Sequence, residues 1–225
     1  MPKLMKHGNE ARQALAAGVR RLAAAVEPTL GPKGLNAMVD RPVGTPLVTR
    51  DGVSIASEVE LIDRFENMGA QVVREVSMQT NDVAGDGTTT SIVLANGIVQ
   101  GGVELTARGA KAVDLCRGVD LAVGHVLDAL KAAAMPADDK VITAVATIAA
   151  TDPALGALVA EAWRAVGPEG VITADYGLGI ESTLEVVEGM SFERGYISHH
   201  LVTDVEAMTA TLKNPYILLT DLKLT

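Results

Sequence analysis

Three short segments of this chain hold residue types suited to phosphate chemistry. Gly85-Asp86-Gly87-Thr88-Thr89-Thr90 opens a stretch that continues SIVLANGIV and has helical spacing. The threonines therefore fall at a helix N-terminus, where free N–H groups and a partial positive charge suit a phosphate. Three hydroxyls add donors. A carboxylate beside a phosphate is repelled unless a cation lies between them. Asp86 thus fits an Mg²⁺ ligand, because Mg²⁺ takes one or two carboxylates plus phosphate oxygens. The plainer alternative is an Asp-Gly turn with a threonine cap. Thr29-Leu30-Gly31-Pro32-Lys33-Gly34 is the second segment. Gly31 and Gly34 let backbone N–H groups come close to phosphate oxygens. It lacks the ending of the common phosphate loop, Gly-Lys then Ser or Thr. Read alone, it is first of all a Gly-Pro turn. The third is Arg50-Asp51-Gly52. Asp-Gly alone is a common turn. Beside the other two segments, Asp51 can orient a water for attack on a phosphate, and Arg50 can offset phosphate charge.

Other residues read more plainly. Cys116 and Trp163 fall at helical spacing and read as core. His199 and His200 sit in an expected strand, where neighbours point to opposite faces. A dihistidine without spaced Cys or carboxylate ligands is a poor zinc site. No Ser/His/Asp or Cys/His arrangement can be built.

The elements that must position these segments follow from periodicity. Residues 9–27 predict a helix capped by Asn9, with Ala11, Leu15, Val19, Leu22 and Val26 on one face and Pro28 after it. Residues 64–80 predict another through Phe65, Met68, Val72 and Val76. Residues 89–105 and 112–134 follow, the latter through Leu115, Val119, Val123, Val126 and Leu130. Ala37 to Asp40 and Pro46 to Arg50 read as short strands. Pro136 breaks the helical run. A weaker helix covers 139–150. Asp152-Pro153 starts one that runs to about Val166, a cap followed by proline at the first helical position. Then the period changes. Val171 to Ala174, Thr183 to Val187, Tyr196 to Val202, Met208 to Leu212 and Ile217 to Leu219 read as strands.

The composition bounds the function classes. The chain has 225 residues, 48% of them apolar and 3% aromatic, with a formal charge of −9. So apolar a chain is not disordered. The acidic balance argues against a nucleic-acid partner. Residues 1–50 carry a net +5 and residues 51–225 a net −14. One cysteine excludes an internal disulfide and suits a reducing compartment. Gly87 to Val103 is the longest charge-free run, and its polar residues argue against a membrane span. MPKLMKHGNEAR has no apolar core of signal-peptide length. The expected location is cytoplasmic, with no membrane partner.

TLGPKG, TRDGVSIA, FENMGAQVVREV and NDVAGDGTTT, in that order, resemble the N-terminal region of a group I chaperonin of the GroEL type. The resemblance continues through DLCRGVD, VGPEGVIT, VVEGM, FERGYIS and NPYILL, nearly the whole chain. It implies a multi-domain fold. Residues 1–135 correspond to the N-terminal half of a mainly helical equatorial domain. Residues 136–189 match the first part of an α/β intermediate domain, and residues 190–225 the start of an α/β apical domain. Pro136 and Gly189 then lie at the hinges. Such chains are more than twice this length, so the resemblance implies an N-terminal fragment.

The resemblance also implies a function. Family members bind ATP and Mg²⁺ and form double rings of seven identical subunits each. They enclose non-native proteins beneath a lid co-chaperonin. By motif match, Thr29, Leu30, Gly31, Pro32, Arg50 and Gly52 belong to the nucleotide site. Asp86 holds Mg²⁺, and Gly87, Thr88, Thr89 and Thr90 hold the phosphates. Asp51 positions the attacking water. The design suits phosphoryl transfer, where positioning and charge stabilisation do most of the work.

Three departures qualify that transfer. Arg50 stands where the family usually has lysine. The family's second water-activating Asp lies beyond this chain, as do its base and ribose contacts and the other half of the equatorial domain. The helices of residues 1–135 should then expose apolar faces, and this chain alone should not turn over ATP. Lastly, Tyr196-Ile197-Ser198-His199-His200-Leu201 replaces a family Tyr-x-Ser-Pro-Tyr-Phe that binds apolar client and lid surfaces. The alternative reading is a short, non-enzymatic interaction module derived from a chaperonin.

Overall fold

The computed structural model describes residues 3–41, 44–175, 182–187, 189, 195–218 and 220. The chain divides into two compact units, Met1–Ala134 and Met135–Thr225. No helix among the described residues is long and apolar enough to cross a membrane.

In the first unit, α1 (Gly8–Val26) runs into a 3-10 turn at Glu27–Thr29. An antiparallel hairpin follows, β1 (Ala37–Val39) and β2 (Leu47–Thr49), in the register Ala37 to Thr49. Then come α2 (Gly52–Glu58), α3 (Arg64–Ala84), α4 (Thr88–Ala107) and α5 (Ala112–Ala133). The core joins Val19, Leu22 and Val26 of α1 to Ile55 and Ala56 of α2, Ala70 and Val73 of α3, and Ile92 of α4. Leu22, Val26, Ile55 and Ile92 are fully buried, each worth about 1.5–3 kcal/mol over exposure.

Two glycines let α1 and α3 touch backbone to backbone. A Cβ at Gly18 would stand 1.8 Å from the Glu66 carbonyl oxygen, and one at Gly69 2.1 Å from that of Leu15. This close crossing decides which face of α3 is buried. Gly69, Ala70, Val73 and Ser77 face inward. The sequence pattern instead picked Phe65, Met68, Val72 and Val76, and of these Met68, Val72 and Val76 are exposed, Val72 by 64%. Small residues won because they permit the closer approach; bulk alone did not decide the seam.

α5 differs from its neighbours. None of its residues is buried, although Leu115, Val119, Val123, Val126 and Leu130 form the expected stripe. Cys116 is exposed, so it is no core residue. Its helix has the right pattern, but among the described residues that face is left largely open, with Leu115 alone half-buried. Likewise α1 begins at Gly8 with His7 at the cap position and no side-chain cap, so Asn9 does not serve as one.

In the second unit, α6 (Asp139–Ala150) and α7 (Pro153–Val166) form an antiparallel pair. Asp138 caps α6 by accepting from Val141 N–H at 2.9 Å, and Asp152 caps α7 by accepting from Ala154 and Leu155. Gly156 lies flat on the Thr147 backbone, where a Cβ would stand 2.4 Å from Thr147 Cα. Arg164 donates to Asp139 at 2.6 Å and Thr143 at 2.8 Å, pinning the open end. Trp163 is half-buried, less enclosed than its spacing suggested.

Among the described residues, the expected strands after Val166 do not form. Val171 to Ala174, Thr183 to Val187 and Met208 to Leu212 hold no strand, apart from an isolated bridge of Asp204 to Thr209. The Tyr196 to Val202 segment contains a 3-10 turn, His199–Leu201. The His199 and His200 rings therefore lie 4.1 Å apart instead of on opposite faces. Ile217 and Leu218 are not in a strand, and Leu219 falls outside the described residues. A strand is held by hydrogen bonds to a neighbour, and β-prone composition alone supplies none.

Candidate nucleotide-binding site

The site is built where two helix N-termini meet. Asp51 caps α2. Its Oδ2 accepts from the Ser54 N–H at 2.9 Å and from the Ser54 hydroxyl at 2.6 Å. Its own N–H donates to Thr49 Oγ1 at 3.1 Å. Asp-x-x-Ser is a capping signature, so α2 was within reach of sequence reasoning. It escaped because seven residues hold too little periodicity.

The second N-terminus belongs to α4. Gly85 ends α3 in the left-handed region at φ 68°, and Gly87 caps α4 at φ 82°. Both φ values are positive, which suits glycine, so the chain reverses in one short corner with Asp86 at its exposed apex. Asp86 Oδ1 accepts from Gly87 N–H at 2.7 Å. Thr88 and Thr89 are buried, while Thr90 is exposed. The first turn of an α-helix leaves its N–H groups without intrahelical acceptors.

The two N-termini are in direct contact. A Cβ at Gly52 would stand 2.3 Å from Thr89 Oγ1 and 2.8 Å from Thr89 N. The Thr88 hydroxyl donates to Asp51 Oδ1 at 3.5 Å, the edge of hydrogen-bond range. From below, the buried Ser77 hydroxyl donates to the Thr88 carbonyl at 3.3 Å. Thr49, Ser54 and Ser77 are thus supporting residues that motif reading passed over.

The structure brings Asp51, Gly52, Thr88 and Thr89 together, with Asp86 and Gly87 in the adjoining corner. Thr29 is buried, and its hydroxyl donates to the Val26 carbonyl at 2.7 Å. Val26 belongs to the same core cluster as Ile55 and Ile92, one turn into α2 and α4. Leu30 and Pro32 are exposed, and Gly31 has φ 80° with open space around it. The turn is tight behind it, with Gly34 N–H donating to the Gly31 carbonyl at 2.9 Å. Arg50 is exposed and has no carboxylate partner among the described residues.

Of the two positions expected to be hinges, Pro136 lies in the non-helical link after α5, and Gly189 has φ 109°. No group of three or more metal-binding side chains occurs among the described residues. Asp86 alone is a sparse ligand set, which suits a cation that keeps waters and takes phosphate oxygens. A cavity of about 370 Å³ between α4 and α5 is lined by Ile98, Val103, Leu115, Cys116 and Val119 and lies outside these loops.

With the geometry established, similarity adds an independent line. The chain is 69% identical over all of its 225 residues to Chaperonin GroEL 4 of Bradyrhizobium diazoefficiens. It spans 41% of that relative's length. A crystal structure of a group III chaperonin in the open state superposes with a TM-score of 0.59 at 31% identity, covering 69% of this chain and 32% of that one. Residues 22–225 match the TCP-1/cpn60 chaperonin family, so the helical unit and its paired N-termini stand in a chain that belongs to that family.

Proposed function

We propose that this chain supplies the nucleotide-binding part of an ATP-dependent chaperonin subunit. The observation that carries the reading is the docking of Asp51-Gly52 against Thr88-Thr89 at the N-terminus of α4. The α4 terminus and the threonine hydroxyls receive phosphate oxygens. Gly31 lets its loop approach a ligand closely. Mg²⁺ held by Asp86 supplies charge neutralisation when bound. In Asp51, Ser54 occupies Oδ2 twice, so Oδ1 is the oxygen that faces the threonines and can accept a proton from water. Arg50, beside it, offsets phosphate charge.

In this reading residues 1–135, 136–189 and 190–225 are equatorial, intermediate and apical portions, with Pro136 and Gly189 as hinges. The complete protein is an ATPase of the cytoplasm. It forms a double ring of seven identical subunits each and encloses non-native clients under a lid co-chaperonin. His199-His200-Leu201 weakens the aromatic character of its client surface. The chain alone binds nucleotide without turnover. A second reading, a non-enzymatic interaction module, draws support from α5, which buries no residue.

Titration calorimetry of the purified chain with Mg·ATP separates the two. Mg²⁺-dependent binding that Asp86→Ala weakens by about tenfold or more, the loss of one charged ligand, supports the nucleotide site. Absence of binding, or affinity indifferent to both Mg²⁺ and Asp86, refutes it.

A further inference from the structure

We infer that Arg74 is a positioning residue that fixes the helix behind Asp51, an assignment that rests on the nucleotide-site reading. α2 has only seven residues. A helix so short does not stand by itself. Asp51 caps one end. At the other, Val59 leaves the helix, and its carbonyl accepts from Arg74 Nη2 at 2.5 Å. Terminal carbonyls lack intrahelical donors, and a cation there opposes the negative end of the helix.

Arg74 is an expensive way to fill this space. It is part-buried, has no carboxylate partner among the described residues, and its Nε is buried without an acceptor. Buried donors are normally satisfied, and an apolar side chain would avoid the penalty. What arginine adds is the charge-assisted bond to Val59.

Its place on α3 gives that bond a consequence. Ser77 lies one turn further along α3 and holds the Thr88 carbonyl. One helix therefore grips the far end of α2 and the first turn of α4. The 3.5 Å contact of Thr88 with Asp51 is set between those two grips. Releasing Arg74 lets α2 pivot on its Gly52 contact. That moves the Asp51 carboxylate and leaves the α4 N–H groups in place. Water positioning suffers, while nucleotide affinity does not.

The test compares wild type, Arg74→Met and Arg74→Lys. Amide hydrogen exchange at Ser54 and Ile55 is followed in the purified chain without nucleotide, alongside Mg·ATP affinity. ATP turnover is measured in the full-length assembly. Arg74→Met should speed the α2 amides by about tenfold or more and slow turnover comparably, with Mg·ATP affinity held within about twofold. Arg74→Lys, which can still donate to Val59, should restore most of both. Unchanged α2 exchange in Arg74→Met overturns the assignment, as does an affinity loss as large as the turnover loss. A wild-type chain that binds no ATP refutes the nucleotide reading, and the exchange arm still reports on Arg74. Should Arg74→Met not fold, Arg74→Gln is held to the same criteria.

Discussion

Replacing Gly52 with alanine tests whether the two helix N-termini are packed as closely as described. The added Cβ would stand 2.3 Å from Thr89 Oγ1, 2.8 Å from Thr89 N and 2.9 Å from Thr89 Cα. A hydroxyl can turn aside, but backbone N and Cα cannot. Ordinary contact begins at 3.4 Å, so α2 and α4 must part by roughly 0.6 Å, the shortfall at Thr89 N. The Thr88–Asp51 contact, already 3.5 Å, then leaves hydrogen-bond range. Overpacking of this kind costs about 1–3 kcal/mol. Gly97, inside α4, is the control, because nothing lies within 4 Å of its would-be Cβ. There alanine should stabilise by up to about 1 kcal/mol through helix propensity. Denaturant unfolding followed by helical circular dichroism reads both, with slopes compared to detect a change of cooperativity. Mg·ATP binding should weaken in Gly52→Ala and hold in Gly97→Ala. A Gly52→Ala protein as stable as wild type, beside the expected gain at Gly97, refutes the close packing and the site built on it.

Two further outcomes follow from the structure. The Asp63 carboxyl, which caps α3, is held below the ordinary 3.8, first by the Glu66 N–H and then by the Phe65 N–H, against some desolvation. A lowered folded value means that its contribution is present above the unfolded value and is lost as pH falls through the folded one. Carboxyl NMR should find Asp63 titrating below 3.8, and Asp63→Asn should flatten the acid limb of stability; titration at or above 3.8 contradicts the cap. Cys116 is exposed on α5. The native chain should therefore react with a maleimide about as fast as the unfolded chain, and protection released only by denaturant would show that α5 is covered.

The candidate phosphate segments were legible because each carries its residue types locally. Gly85-Asp86-Gly87 needs two positive-φ residues around a carboxylate, and sequence states that directly. The helix start at Asp152-Pro153 was equally plain, whereas α3, expected to end at residue 80, runs on to Ala84 with Gly85 after it. The seven-residue α2 and its Asp51–Ser54 cap were overlooked, although their signal was present. The strands expected after Val166 failed for a different reason: β-branched residues describe a preference, and pairing depends on a partner that no local window contains.

Sequence by itself determined the helices of residues 8–166 other than α2 to within a few positions, the acidic character, and the segments that are candidates for holding phosphate and Mg²⁺. Those properties reside in single residues or in neighbours one turn apart. Tertiary structure decided which face of α3 is buried, because Gly18 and Gly69 let two backbones meet. It also decided that Asp51 stands beside Thr88, 37 residues away in sequence, and that Arg74 and Ser77 fix that distance. Contacts between remote segments depend on how closely helices can approach, and small residues set that limit in three dimensions.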